Sequence, residues 1–247
     1  MQQPAKFFFK RLKSTNLYIN QMLEKHASRQ PFWVRTDHQY AGKGQGSKSW
    51  ITEPGKNITG SLAIFPNSLE ASHQFSLSQV FAIAAAGFLE QFTDHVHIKW
   101  PNDLYVGNKK IGGILIETAV QGTSVYYAIL GIGMNINQTE FHPTLPNPIS
   151  LSCLTGKQYD LKEMEELFLE SFHNHYQMIE SEQFDCINDL YISKLYGFGT
   201  PFEFITPNES FTATIIGVTE FGHLIIQRDS GLKEAYDYQK IMYVIPS

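Results

Sequence analysis

Apolar positions along this chain follow two periods, and the switches between them mark the elements. After Ser14-Thr15-Asn16, the residues Leu17, Ile19, Met22 and Leu23 recur at helical spacing, with the polar residues ahead of them as an N-cap. A second helix is predicted from a Ser76 cap through Val80, Ala84, Phe88 and Leu89, spaced three and four apart. A third opens at Asp160, with Glu163 three residues on as in a capping box, and runs through Met164, Phe168, Phe172 and Ile179. The stretches between them are short β-type runs: Phe32-Trp33-Val34, then residues 58–65, 96–99 and 104–106. Gly107-Asn108 turns the last of these into a return strand over 110–117, a hairpin, and residues 125–137 continue the strands. Past about residue 190 only short β runs remain, at 202–205, 211–218, 223–227 and 240–245, split by turns such as Pro207-Asn208-Glu209-Ser210 and Phe221-Gly222. The pattern predicts an α+β fold: a mixed β-sheet flanked by helices over residues 1–190, then a small C-terminal β-barrel over 191–247. A unit of that size needs a larger domain to pack against.

Composition narrows the class. With 43% hydrophobic and 17% charged residues, the chain has enough apolar material for a real core. Its 19 basic residues against 24 acidic ones leave a net charge of −5, which removes the bulk electrostatic argument for binding nucleic acid. Cys153 and Cys186 stand far apart with no partner at metal-ligand spacing, so reduced thiols are expected and no metal site built from side chains. No signal-peptide region and no apolar run of membrane-spanning length is present, which predicts a cytoplasmic protein without a membrane partner.

Three segments carry candidate chemistry. In Gly42-Lys43-Gly44-Gln45-Gly46-Ser47-Lys48-Ser49-Trp50, alternating glycines let successive N–H groups approach an anion, and Lys43 and Lys48 add positive charge. Such a loop also serves as a plain flexible connector, and it matches neither the Walker A nor the dinucleotide pattern. Lys99-Trp100-Pro101-Asn102-Asp103 follows directly on a strand. A polar turn explains Pro101, Asn102 and Asp103, but not a lysine and a tryptophan beside them. In Lys110-Ile111-Gly112-Gly113-Ile114-Leu115, paired glycines leave room against the backbone, while Lys110 by itself reads equally as a surface lysine at a hairpin. Gly131-Ile132-Gly133-Met134-Asn135 repeats the glycine theme on a later strand.

Taken in order, these pieces resemble the biotin protein ligases: Ser-Thr-Asn, a Gly-x-Gly loop ending in Trp, Lys-Trp-Pro-Asn-Asp, Lys-x-x-Gly-Ile-Leu, then Gly-Ile-Gly-x-Asn. The resemblance runs from residue 14 to about 155, and the small β-unit that follows fits the same architecture, a class II synthetase-like catalytic domain with an SH3-like barrel. It implies an ATP-dependent enzyme that converts biotin to biotinyl-5'-AMP and transfers it to a lysine of a biotin carboxyl carrier protein domain, with Mg2+ serving the phosphates. Ser14, Thr15 and Asn16 would then lie beside the biotin ureido ring, with Gln39 across the pocket. Gly42, Lys43, Gly44 and Gln45 would close over biotin and the adenylate, and Gly113 and Gly131 would line the biotin channel. Trp50 would pack on adenine with Asn135 near it, and Asn102 and Lys43 would belong to the nucleotide end. Lys110, rather than Lys109, stands at the family's lysine position.

The chemistry behind these roles is simple. A carboxylate acylates poorly until its oxygen is carried off by a better leaving group, so biotin attacks the α-phosphate of ATP. Both reactants are anionic. Lys110 is the expected bridge between them, a preorganised charge where negative charge concentrates, with Asp103 orienting it. Lys43 stands in for an arginine frequent in the family loop, where this chain has Gln45. The loop folding over the adenylate would exclude water, and an exposed sheet edge could receive the carrier or a second subunit in a homodimer. Lipoate protein ligase is the nearest rival, and Ser14-Thr15-Asn16 with Lys99 through Asp103 favours biotin. A helix-turn-helix repressor function is not expected with 13 residues ahead of Ser14, and complete lysine motifs argue against an inert binding module.

Overall fold

The computed structural model of the chain describes residues 2–25, 29–46, 48–67 and 69–245; Ser47 of the glycine-rich segment lies outside them. The N-terminal part opens with β1 (Ala5–Leu12), α1 (Thr15–Lys25) and β2 (Phe32–Gln39), then a small hairpin of β3 (Gly42–Lys43) and β4 (Ser49–Trp50), and β5 (Ile58–Ile64). A 3-10 turn, Ala71–His73, leads into α2 (Phe75–Leu89), followed by β6 (Val96–Lys99), β7 (Asp103–Val106), β8 (Lys109–Gln121) and β9 (Ser124–Met134). Three helices follow: α3 (Leu151–Thr155), α4 (Leu161–Glu180) and α5 (Phe184–Ser193). Seven strands form one mixed sheet in the order β1-β2-β5-β9-β8-β7-β6, in which β1 and β2 are parallel and the remaining pairs antiparallel.

Side-chain alternation divides the two faces of this sheet. Trp33, Leu62 and Leu130 are cross-strand neighbours pointing to one face, where α2, α4 and α5 cover them. Helix α2 is apolar nearly all round and buries 12 residues, as a helix wedged between a sheet and two others must. Phe168 of α4 is fully buried and packs its ring against Trp33, Phe81 and Phe88. On the other face α1 covers only part of the sheet, with Ile19 against Val34, Ala63 and Ile129. The rest of that face is open, and the site lies there.

Capping follows the expected chemistry in two helices and departs from it in one. Asp160 Oδ1 accepts from the N–H groups of Lys162 and Glu163 at 2.8 and 2.9 Å, and Leu17 N reaches Ser14 Oγ at 3.4 Å. The predicted Ser76 cap is corrected: the 3-10 turn runs straight into α2, Gln74 is the N-cap, and Ser76 Oγ donates to His73 O inside the first turn. Strand β1 and helix α5 carried no predicted element.

The C-terminal residues form β10 (Pro201–Ile205), β11 (Ser210–Val218), β12 (Leu224–Arg228), β13 (Lys233–Tyr236) and β14 (Met242–Tyr243). They pair antiparallel in the order β13-β12-β11-β10-β14. The predicted barrel is therefore an open five-stranded sheet. Its edge strands β13 and β14 have four and two residues and do not pair with each other, so the ladder does not close. Buried apolar contacts run unbroken from α2 and α5 into Phe204, Ala213 and Ile215. No described helix is long and apolar enough to cross a membrane.

Because Phe168 joins the sheet to α2, Phe168→Ala should cost about 3–5 kcal/mol of unfolding free energy. A urea titration followed by circular dichroism should show a markedly lower midpoint with an unchanged native spectrum.

Candidate active site

The open face of the sheet forms the floor of a cleft of about 740 Å3. Two adjacent cross-strand rows build it. In the first, Lys99 pairs with Asp103, Asp103 with Gly113, and Gly113 with Gly133. In the second, Leu115 pairs with Gly131, and Gly131 with Ser61. The three glycines withhold side chains so that groups from above can reach the sheet. A Cβ on Gly133 would lie 2.2 Å from the Trp50 indole, and one on Gly131 would lie 2.3 Å from Asn16 Oδ1. Either substitution would push its neighbour off the floor.

Lys110 enters the cleft through an irregularity. In a regular strand Lys110 and Gly113, three residues apart, would face opposite sides. Strand β8 shifts register against β7 between the pairs Leu104–Gly112 and Tyr105–Lys110, leaving Ile111 as an extra residue. This bulge turns Lys110 to the cleft side, where its Nζ donates to Asp103 Oδ1 at 2.6 Å and stands 5.8 Å from the Trp50 ring centre. The backbone of Lys110 is held as well: its N–H donates to Asn147 O, and its carbonyl accepts from Ile149 N, each at 2.9 Å. Asn102 closes the turn ahead of Asp103, with its Nδ2 donating to Ile114 O at 2.7 Å and its carbonyl accepting from Ile114 N.

The glycine-rich segment is a tight hairpin over this floor. Gly44 N donates to Lys48 O at 2.8 Å, and Gly46 takes a φ of +66°, a left-handed conformation that favours glycine. Lys43, Gly44, Gln45, Lys48 and Trp50 line the cleft, while Gly42 sits behind it, wedged between Gln39 Nε2 and the Trp50 carbonyl. Asn135 also lines the cleft and is anchored by Nδ2 donating to Ile149 O at 3.0 Å. The C-terminal sheet contributes a wall: Tyr243 and Ile245 line the cleft, and Trp100 Nε1 donates to Gly222 O at 2.8 Å.

Charge is distributed unevenly. The lining carries four lysines, Lys43, Lys48, Lys99 and Lys110, against one acid, Asp103, in a chain whose net charge is −5. Lys99 was not among the predicted site residues, although it heads the predicted motif. Its Nζ lies 4.7 Å from the Tyr243 ring centre and 5.8 Å from that of Tyr105. Burial holds its ammonium below the ordinary lysine range; Asp103 opposes that shift, and Lys110 and Lys48 add to it.

The far end of the cleft is neutral and polar. Thr15 N donates to Gln39 Oε1 at 2.9 Å, which fixes the amide so that Gln39 Nε2, without a partner among the described residues, is the free donor. Ser61 Oγ donates to Asn16 Oδ1 at 2.6 Å and has no second hydrogen, so the 2.6 Å contact between Thr15 Oγ1 and Ser61 Oγ takes its hydrogen from Thr15. Thr15 therefore faces the cleft as an acceptor, and Gln39 as a donor. Ser61 was missed by sequence reasoning, since only its register opposite Gly131 brings it here. Ser14, Thr15, Asn16, Gln39, Lys43, Gly44, Gln45, Trp50, Asn102, Asp103, Lys110, Gly113, Gly131 and Asn135 are thus brought together around one cleft.

A cleft with a neutral hydrogen-bonding end, a glycine floor and a cationic end is suited to ligands that combine a neutral polar head with anionic groups. The fold is shared with the solved biotin protein ligase from Aquifex aeolicus in complex with biotin and ATP, with a TM-score of 0.79 at 23% identity over 98% of this chain and 99% of that one. The chain belongs to the biotin/lipoate A/B protein ligase family, whose model matches residues 8–135, just over half of its length. It is 31% identical over 207 residues to the bifunctional ligase/repressor BirA of Bacillus subtilis (strain 168), covering 82% of this chain and 63% of that relative. It is 27% identical over 206 residues to the biotin--[acetyl-CoA-carboxylase] ligase of Paracoccus denitrificans, covering 81% of this chain and 85% of that relative. The chain thus spans somewhat less than two thirds of the first relative's length.

Gly133→Ala tests the floor. The added methyl must displace the Trp50 indole, so the tryptophan emission should change as it does in Trp50→Phe, while the circular dichroism spectrum stays native. An unchanged emission spectrum would place Trp50 elsewhere.

Proposed function

We propose that the chain is a biotin protein ligase, which activates biotin with ATP to biotinyl-5'-AMP and transfers the biotinyl group to a lysine of a biotin carboxyl carrier protein in the cytoplasm. The observation that carries this reading is the hydrogen-bond polarity of the neutral end. A cyclic urea offers N–H donors and a carbonyl acceptor, and it meets Thr15 Oγ1 as acceptor with Gln39 Nε2 and the Ser14 hydroxyl as donors. The dithiolane ring of lipoate has no such groups and would leave these atoms unpaired, at a cost of about 1–3 kcal/mol for each buried one.

In the first step the biotin carboxylate attacks the α-phosphorus, a new C–O–P linkage forms, and the bond to the leaving pyrophosphate breaks. Lys110 Nζ, held by Asp103, stands where the two anions meet and offsets their repulsion. Lys43, Lys48 and Lys99 surround the remaining phosphates, which supports the reading that lysines do the work of the arginine replaced by Gln45. Trp50 and Asn135 flank the adenine end, and the hairpin over Gly113 and Gly131 keeps water from the mixed anhydride. In the second step a neutral carrier lysine attacks the acyl carbon, AMP departs, and the amine loses its proton.

Among the described residues no three His, Cys, Asp or Glu side chains converge as a metal-ligand set, and the one acid of the cleft already gives an oxygen to Lys110. Such a donor set fits a magnesium ion that arrives on the triphosphate and keeps most of its waters. The carrier would dock on β8, which β7 pairs only as far as Gly113.

Mass spectrometry of a carrier domain should show one added biotinyl group that requires the enzyme, biotin, ATP and magnesium together, and no added lipoyl group when lipoate replaces biotin. Lys110→Ala should fold normally and lose at least about 100-fold of biotin-dependent pyrophosphate exchange; near-normal exchange would remove Lys110 from the reaction. Because burial lowers the Lys99 pKa, its charge is lost as pH rises before that of an ordinary lysine. Lys99→Arg should therefore carry pyrophosphate exchange further into the alkaline range, read as an upward shift of the alkaline limb of the pH profile.

A further inference from the structure

Glu117 lies outside the cleft, exposed on β8, yet it is tied to the neutral end by two hydrogen bonds in series. It shares a face with Leu115 and Gly113 by strand alternation, and its register partner is Ile129 beneath α1. Its Oε2 accepts from Asn16 Nδ2 at 2.7 Å, and the second Nδ2 hydrogen reaches Leu115 O at 3.3 Å. Both acceptors demand the amide nitrogen on that side, so Asn16 Oδ1 must face Ser61. This sets the hydrogens downstream: Ser61 donates to Asn16, and Thr15, whose one hydroxyl hydrogen has Ser61 at 2.6 Å and Gln39 Oε1 at 3.2 Å as acceptors, gives it to the nearer Ser61 and turns a lone pair to the cleft. Both Asn16 Nδ2 hydrogens are used, so its amide offers no donor to a ligand.

We infer that Glu117 is a positioning residue for the urea ring: by accepting from Asn16 it sets the direction of the Asn16–Ser61–Thr15 relay and keeps Thr15 an acceptor for a ligand N–H. This rests on the biotin reading of the cleft. Without Glu117, Asn16 Nδ2 keeps only the longer contact to Leu115 O, and the amide is free to turn. Ser61 then gives its hydrogen to Thr15, and Thr15 gives its own to Gln39 Oε1, 3.2 Å away. The acceptor that Thr15 offers to the ligand is weakened by a change that reaches it through Asn16 and Ser61.

Equilibrium dialysis of biotin without ATP tests this on the full chain. Glu117→Ala should weaken biotin binding about tenfold, the size expected when one charged acceptor is lost, while pyrophosphate exchange at saturating biotin, measured without a carrier, and its KM for ATP stay within twofold. Glu117→Gln keeps an acceptor oxygen and should restore binding to within about threefold of wild type. In a double-mutant cycle, Glu117→Ala should have no further effect once Ser61→Ala has cut the relay. If wild type binds no biotin, both the ligase reading and this inference fall. If wild type binds and Glu117→Ala is within twofold of it, only the inference falls. The inference also falls if Glu117→Gln is as weak as Glu117→Ala, since charge rather than acceptance is then at work, or if the effects of Glu117→Ala and Ser61→Ala simply add.

Discussion

The extra residue Ile111 in β8 is the constraint on which the site depends. Without that bulge Lys110 would point to the face covered by α2, where a charged group has no partner and burial is expensive. With it, the ammonium stands beside Gly113 and Asp103, and Ile111 takes a fully buried place in the core. The segment Asn147–Ile149 bonds both the N–H and the carbonyl of Lys110, so the irregular strand is held at this point by a parallel bridge. A bulge held in this way is a structural device rather than a defect. It also accounts for the three-residue spacing of the lysine and glycine, which a regular strand would place on opposite faces.

The same strands serve two purposes because their faces differ so sharply. Ile114, Ile132 and Met134 point into the apolar cluster with α2, while Gly113, Gly131 and Gly133 form the floor on the opposite side. Glycine in a strand interior weakens it by removing side-chain packing and adding chain entropy. That loss is concentrated here in β8 and β9, which pair with each other along most of their length and have a well-packed helical layer behind them. The site can therefore be bare without being loose.

Much of the frame could be read from the pattern of apolar residues, and what escaped has identifiable causes. The long alternating runs of β8 and β9, and the amphipathic α4, carry strong periodicity. Strand β1 does not: Phe7 and Phe8 are both largely exposed on an edge strand, so its residues show no inside and outside. The expected barrel failed to close: β13 carried no predicted element, and the run predicted at 240–245 yields only the two residues of β14, too few to reach β13. In the site, residues within a motif were found and those joined only by register were not. Ser61 is 45 positions from Asn16 in the chain and Glu117 is 101, and only strand pairing brings them together. The alternation Gly113, Leu115, Glu117 carried a signal for the last of these. Lys99 stood inside a recognised motif, but its surroundings include Tyr243, which arrives from the other end of the chain.

The cationic end shows why the C-terminal sheet belongs to the site. Four lysines stand around one aspartate, and burial first, then Lys110 and Lys48, holds the Lys99 ammonium below its ordinary range against the opposing pull of Asp103. Aromatic faces are what the fold supplies in compensation: Tyr243 and Tyr105 to Lys99, and Trp50 to Lys110. Lys110 has an acidic partner as well, Asp103 at 2.6 Å; Lys99 is held by aromatic faces without being neutralised. An acidic neighbour for each lysine would cancel the positive charge of this end of the cleft. The arrangement instead leaves net positive charge to be satisfied by an anionic ligand. The Trp100–Gly222 hydrogen bond keeps the sheet that carries Tyr243 against the turn that carries Lys99.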